Sequence, residues 1–275
     1  MVYSKFHENV GKFNTYLKTE GANFPGGEEG LAAKFTGRWR NGAPITLFPD
    51  ESSGIKIAEL RQDASLQIAL AIGEKNEQKF RQAIASFREI NKQFVAFDYD
   101  KDLNGSRCPL GAHTRRANPR GSLEFDKKKA FDTPSALDDR RRIIRRGLPY
   151  GTSNPTSNDG EHGTIIMSIV ASIKRQFEFV FQQWLNYGND FKLANDKDPM
   201  LGNHEEENGV GTGRMVVQGD ENNAPYFLSK IPLFIETRGG EYFFIPSLTA
   251  LKMIGDGIVD PDYSGKCDLG IPLTV

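Results

Sequence analysis

The chain has 275 residues, of which 38% are apolar and 26% are charged, as in soluble globular proteins that bury a core. Its formal net charge of −1 excludes a global field that would attract nucleic acid or a membrane. No export signal is visible at the N-terminus, and the longest apolar run, around residues 165–171, is too short to span a bilayer. We therefore expect a cytoplasmic protein whose two cysteines, Cys108 and Cys267, are reduced.

Apolar residues that recur at helical spacing predict three amphipathic helices. These helices cover about residues 10–17, 77–94 and 172–187. A short fourth helix, Leu248–Ile254, is expected because Ser247 can cap its first turn. The turn-rich residues 21–30 predict a loop between the first two helices.

Strand patterns occur mainly in the second half of the chain. Residues 142–151 predict a short strand that runs into a turn, residues 163–171 predict a buried strand, and residues 241–245 predict another. Long stretches rich in Gly, Pro, Asn and Asp lie at 98–162 and 188–224 and favour ordered loops. The strands are few and the helices do not alternate with them, which favours the α+β class.

His113 stands out because of the charges that follow it. Residues 115–146 contain eleven Lys or Arg and five Asp or Glu. Such a strip can neutralise nucleic-acid phosphates, hold an anionic small molecule in arginine forks, or simply form a solvated loop. Aromatic side chains that would stack on bases are nearly absent from it, which disfavours nucleic acid. The four histidines show no zinc-type spacing.

The segment Cys108-Pro-Leu-Gly-Ala-His113-Thr-Arg-Arg-Ala-Asn-Pro-Arg120 resembles the haem-ligand signature of dye-decolourising (DyP-type) peroxidases. Further segments similar to that family follow in the family's order and cover nearly all of residues 1–255. They are Gly37–Pro44, Phe97–Arg107, Arg145–Gly151, Arg175–Phe179 with Gln183–Trp184, Asp198–Gly202 and Arg238–Ser247. The resemblance is to the C-terminal, haem-binding half of the enzyme, and it implies a ferredoxin-like antiparallel sheet packed by helices.

The resemblance implies haem b (iron protoporphyrin IX) held by one axial imidazole, and His113 matches the iron ligand. Arg145 matches the family's distal arginine, whose fixed charge would stabilise the peroxide anion. Asp198 is the candidate carboxylate that would bind the other nitrogen of His113 and raise its basicity; the alternative is an ordinary Asp-Pro turn.

The same resemblance suggests further contacts to the cofactor. Arg115 and Arg120 are candidate partners of the haem propionates. The Ile165–Met167 stretch is expected to supply apolar cover, with Ile165 and Met167 as the contacting residues. The family more often has a phenylalanine near Ile166, so we expect packing there to differ.

The chain departs from the family in lacking a Gly-x-x-Asp-Gly motif, whose aspartate moves the proton of peroxide. Thr156 and Met253 stand where the first glycine would be needed before the two Asp-Gly pairs. We expect residues 1–96 to be the segment that follows this motif, with an insert at about 55–92, and residues 97–275 to be the haem-binding domain. Residues 124–130 are expected to form a surface insertion.

Two functions follow from the resemblance. The first is a haem peroxidase that reduces hydrogen peroxide and oxidises dyes, phenols or similar bulky reductants, impaired or dependent on a partner because the distal aspartate is missing. The alternative is a non-catalytic haem-binding fragment or a subunit of a split peroxidase. The absent half would come from a second chain, be lost through gene truncation, or precede a start codon assigned too late. A homo-oligomer is also compatible with the sequence. No nucleic acid or membrane partner is expected.

Overall fold

The computed structural model describes residues 1–123, 136–221 and 224–258. The strands in chain order are β1 (Val2–Glu8), β2 (Ile144–Tyr150), β3 (Gly163–Ile169), β4 (Glu206–Glu207), β5 (Val210–Gly211), β6 (Gly213–Val217), β7 (Tyr226–Ile231) and β8 (Ile235–Tyr242). The helices are α1 (Val10–Gly21), α2 (Gly27–Thr36), α3 (Glu51–Gly73), α4 (Glu77–Val95), α5 (His113–Ala117), α6 (Ala136–Asp139) and α7 (Leu248–Gly255). Two successive π-helical stretches, Lys174–Glu178 and Val180–Leu185, are called the π segment below, and a 3₁₀ turn covers Asn189–Phe191.

The central sheet has four strands in the spatial order β2-β3-β1-β8, and every neighbouring pair is antiparallel. Helices connect the first of these strands to the second and the third to the fourth, while β2 and β3 follow each other directly. This is the strand order of a ferredoxin-like unit. The α+β class expected from the sequence is confirmed. Among the described residues, no helix combines the length and apolarity needed to cross a membrane.

Most helices expected from the sequence are present, and α7 begins as predicted because the Ser247 hydroxyl accepts the Ala250 N–H at 3.1 Å. Two helices of the structure were not expected from the sequence. The expected loop at 21–30 gives way to α2 from Gly27 onward, and α3 was not predicted. The apolar residues of α3 do not form one stripe. Ile57 lies in a buried cluster with Trp39 and with Phe94 of α4, whereas Leu66 is exposed.

Two strands of the sheet were also misplaced or missed. β1 was not predicted although it buries Val2 and Phe6, and β8 overlaps the expected strand at 241–245 only at its end. The glycines and charges of β8 give it little strand propensity, so its pairing with β1 decides its conformation. β3 is half-buried, not fully buried as expected, because one face of the sheet is uncovered.

The two faces of the sheet differ in what covers them. Directly paired residues in an antiparallel sheet share a face, so Ser4, Ile166 and Gly147 lie on one face, with Tyr3, Met167 and Arg146 on the other. The π segment packs on the first, inner face at β1, where Phe181 stacks on Phe6 with ring centroids 6.3 Å apart.

The second, outer face carries exposed apolar side chains at its edge. Ile144 is 72% exposed and pairs with Ile169, and Leu148 is exposed beside them. The central strand β1 comes from the predicted 1–96 segment, whereas its neighbours β3 and β8 come from the 97–275 segment. The two predicted segments therefore share one sheet, and the boundary between them stays a prediction. Residues 124–130, including Lys127–Lys129, and Cys267 lie outside the described residues.

Candidate functional site

The short helix α5 places His113 at its first residue, directly against the end of α2. Gly37 ends α2 in a left-handed conformation with φ +83°. A side chain at Gly37 would collide with the Thr114 hydroxyl and press on the sulfur of Cys108. Glycine at this position therefore allows the close approach that sets α5, and with it His113, on the end of α2.

The structure brings His113 and Asp198 together although 85 positions separate them. His113 Nδ1 lies 3.2 Å from Oδ1 and 3.1 Å from Oδ2 of Asp198. The Asp198 side chain is fully buried, whereas the His113 side chain is 24% exposed. Because a carboxylate only accepts hydrogen bonds, the proton of a neutral His113 ring belongs on Nδ1. Nε2 then has a free lone pair, because both contacts of the ring to Asp198 are made through Nδ1.

The Asp198 carboxylate is held by several donors at once. Its Oδ1 accepts the backbone N–H groups of Met200 at 2.9 Å and Leu201 at 2.7 Å. Burial would raise the pKa of this carboxyl, but His113, Arg116 and the Leu201 N–H together hold that pKa below its ordinary value. The carboxylate is therefore ionised at neutral pH and available to His113.

His204 also contacts the loop that contains Asp198. Its Nε2 donates to the Asp198 carbonyl at 2.9 Å, and the ring is buried. Burial lowers the pKa of His204, so the ring is neutral at neutral pH. Sequence reasoning gave His204 no role, because its contact to Asp198 is made through a backbone atom.

Arg115, a predicted propionate contact, makes its recorded hydrogen bonds inside the protein and not around His113. Its side chain is fully buried, with NH1 donating to Asp102 Oδ2 at 3.2 Å and to the Cys108 carbonyl at 2.8 Å. The guanidinium also stacks over Tyr99, 4.4 Å from the ring centroid. Side chains two positions apart on a helix point in different directions. Arg115 therefore points into the protein, while His113 points out of α5.

Replacing Asp102 with alanine is expected to destabilise the protein by about 3–5 kcal/mol, because the Arg115 cation would remain buried without its partner. Asp102 also accepts the Arg107 and Cys108 N–H groups, which would lose their acceptor. Urea unfolding of the haem-free protein measures the change. Glu77→Ala, which breaks an exposed ion pair with Arg81, should cost less than about 1 kcal/mol. Equal effects of the two substitutions would contradict the structural role of Asp102.

Arg120 lies in a cationic region that also includes Arg38, which sequence reasoning had not singled out. Arg120 NH1 donates to the Val95 and Phe97 carbonyls at 2.8 and 2.9 Å, and its guanidinium stacks on Phe97. Arg38 also faces Phe97, from a distance of 5.5 Å. The one available signal for Arg38 was its place in the Gly37–Pro44 segment that resembles the family.

Arg145 belongs to the same region. Burial lowers the pKa of Arg38, and the nearby cations Arg120 and Arg145 lower it further. Arg145 is exposed and pairs with Ser168, which places its side chain on the inner face of the sheet. Cations that crowd together in this way favour an anionic ligand.

The sheet register places Ile165 and Met167, the predicted apolar contacts of the cofactor, on one face. The register pairs Met167 with Arg146 and Ile165 with Leu148, so both lie on the outer face, opposite to Arg145. Arg145 and these two predicted haem contacts therefore lie on opposite faces of the sheet. Ile166, which pairs with Gly147 and Ser4, lies on the same face as Arg145.

Comparison with known proteins identifies the relatives of the chain. It is 29% identical over 272 residues to the dye-decolorizing peroxidase msp1 of Mycetinis scorodonius, covering 92% of this chain and 45% of the relative. It is 26% identical over 270 residues to the dye-decolorizing peroxidase AauDyP1 of Auricularia auricula-judae, with similar coverage. The crystal structure of a DyP-type peroxidase from Anabaena sp. superposes with a TM-score of 0.63 and 25% identity, over 92% of this chain and 45% of that one. No family model matches the chain.

These comparisons agree in both the identity of the relatives and the extent of the match. The chain spans about half the length of the curated relatives and of the solved structure that it matches. The resemblance expected from the Cys108–Arg120 segment is confirmed. The homologues and structural neighbours of this chain are DyP-type peroxidases, and it aligns with about half of their length.

Proposed function

We propose that this chain binds haem b through His113 and forms half of a peroxidase that uses hydrogen peroxide to oxidise dyes, phenols or similar bulky reductants. The observation that carries the proposal is the His113–Asp198 pair, in which a buried carboxylate binds Nδ1 and leaves Nε2 for an iron ion. Histidine ligands of metals in proteins almost always have such a partner on the second nitrogen. The same carboxylate accepts the Met200 and Leu201 N–H groups of the turn that follows it, so Asp198 serves both the turn and His113.

In this proposal the residues of this chain have separate roles. Asp198 holds His113 in one tautomer and raises the electron density on Nε2. Haem, when bound, supplies the iron at which peroxide reacts. Arg120 and Arg38 provide the positive charge expected around the haem propionates.

Arg145 is the proposed distal arginine, which would hold the peroxide anion and stabilise the charge that develops as the O–O bond breaks. Its place on the inner face, close to Arg38, supports this role. Arg145→Leu is therefore expected to lower the rate of reaction with peroxide by about 10²–10³-fold, as losses of comparable charge stabilisation do, while haem binding persists. Stopped-flow mixing with peroxide measures this rate.

Arg146→Leu is the matched control for Arg145→Leu. The two arginines are neighbours on β2, but Arg146 lies on the outer face. Its replacement should leave the rate with peroxide within about twofold of the wild type. A larger loss in Arg146→Leu than in Arg145→Leu would show that the distal side has been assigned to the wrong face of the sheet.

The acid–base residue of the distal side is proposed to come from residues outside this sequence, since the 275 residues contain no Gly-x-x-Asp-Gly motif. The exposed outer face fits this view, because Ile144, Leu148 and Ile169 form an apolar edge that a second half would cover. A general acid–base group contributes about 10²–10⁴-fold, so the chain alone is expected to turn over slowly. The same observations favour the second candidate function, a haem-binding subunit without turnover of its own.

Haem titration followed by a peroxide assay tests the proposal. A Soret band that saturates at one haem per chain supports the cofactor, and oxidation of a phenol or dye that needs peroxide supports the activity. Saturable haem binding with no turnover above free haem would select the non-catalytic subunit. Failure to bind haem at all would refute both candidates.

A further inference from the structure

Arg116 is the second fully buried arginine of α5, and it contacts a different part of the protein from Arg115. Its guanidinium donates to three backbone carbonyls outside the helix. The acceptors are Trp184 O at 2.6 Å from Nε, Asp196 O at 2.9 Å from NH1 and Leu185 O at 3.5 Å from NH2. One side chain therefore ties α5 to the end of the π segment and to the loop before Asp198.

These carbonyls belong to the segments that fix the position of Asp198. Leu185 O also accepts the backbone N–H of Asp198 at 2.7 Å, and Asp196 stands two residues before Asp198. Trp184 and Leu185 end the π segment, where helix carbonyls lack partners within the helix and carry partial negative charge. A guanidinium matches this arrangement, because its several N–H groups point in fixed directions.

The positive charge of Arg116 is complemented by two nearby carboxylates, those of Asp198 and Asp196. Burial lowers the pKa of Arg116, and the nearby Asp198 and Asp196 oppose this effect only in part. Among the described residues no ion pair is recorded for Arg116. His113 is three residues before Arg116, so one helical turn carries both the imidazole and the cation that holds the loop of its carboxylate.

We propose that Arg116 is a positioning residue that fixes the Asp198 carboxylate against His113 Nδ1, so that the proton stays on Nδ1 and Nε2 is left free. The importance of a free Nε2 rests on the proposed haem function. The pairing itself is a property of the haem-free chain and is measured without cofactor or turnover.

The test is the tautomer of His113 in haem-free, [¹⁵N]histidine-labelled protein, read by long-range ¹H–¹⁵N NMR at a pH where the ¹⁵N shifts show a neutral ring. The spectrum of His113→Gln assigns the His113 signals. In the wild type we expect the Nδ1-protonated form to dominate. In Arg116→Met we expect it to become the minor form, and in Arg116→Lys to be reduced less, because lysine keeps the charge but not the three directed N–H groups.

Arg115→Met is the matched control, since it removes an equally buried cation from the same helix but one that contacts Asp102 and Cys108 instead. It should lower stability and leave the His113 tautomer unchanged. An unchanged tautomer in either folded Arg116 variant, or an equal change in Arg115→Met, would overturn the proposal. If Arg116→Met does not fold, Arg116→Lys decides, because it retains the buried charge. Loss of the tautomer preference with intact haem binding would separate this role from the proposed function.

Discussion

Replacing His113 with glycine is expected to abolish haem binding, with a fall in affinity of more than about 100-fold. Loss of a residue that only supports a metal ligand costs about 10–100-fold, and loss of the ligand itself should cost more. The expected result is the disappearance of the Soret band when the purified variant is titrated with haem. The fold should persist, because His113 is partly exposed at the start of α5 and its one recorded side-chain partner among the described residues is Asp198.

Free imidazole provides the rescue for His113→Gly. The vacated space lies beside the Asp198 carboxylate, which can orient an added imidazole as it orients the side chain. Imidazole should therefore restore the band in the variant. His162→Asn is the matched control, since that buried ring donates to the Glu8 carbonyl, where β1 ends and β3 begins, and not at α5. Full haem occupancy of His113→Gly without imidazole would show that the iron ligand is another residue.

The sequence was sufficient to find both members of the central pair but not to bring them into contact. His113 and Asp198 stood out because each begins or anchors a segment that resembles the family. Their contact depends on the loop that follows the π segment and returns to α5, which is closed by backbone bonds such as Asp198 N–H to Leu185 O. Backbone bonds of this kind leave little trace in the pattern of residue types, so the role of Arg116 could not be predicted either.

The direction of side chains is what the sequence pattern does not show for several predicted site residues. The resemblance to the family suggests the same role for Arg115 and Arg120, but the position of Arg115 on α5 turns it toward Asp102. Ile165 and Met167 were assigned as a stretch, whereas a strand sends neighbouring side chains to opposite faces. The sequence contains the alternation, but only the register of β3 against β2 shows which residues share a face with Arg145.

Asp198→Asn is expected to lower haem affinity by about 10–100-fold although it changes the shape of the side chain very little. The Met200 and Leu201 N–H groups bind one oxygen of Asp198, and the asparagine carbonyl would keep those two bonds. The amide nitrogen would then face His113 Nδ1. Because an amide NH₂ donates and does not accept, the shorter contact of His113 Nδ1, the one to Oδ2, would favour Nδ1 as the acceptor and the ring proton on Nε2. The nitrogen meant for iron would then carry a proton.

Two measurements separate this tautomer effect from simple loss of stability. The wild-type carboxyl has a lowered pKa, so its ionised form contributes stability that is present at neutral pH and is lost as the pH falls through the folded pKa. Asp198→Asn should remove that part of the acid dependence from urea unfolding, and its haem titration at neutral pH should show the weaker binding. Asp190→Asn makes the same chemical change at an exposed residue that accepts from Trp184, and it should alter neither. If Asp198→Asn binds haem as tightly as the wild type, the carboxylate does not set the tautomer of His113, and the pair would be a structural contact between α5 and the loop of Asp198.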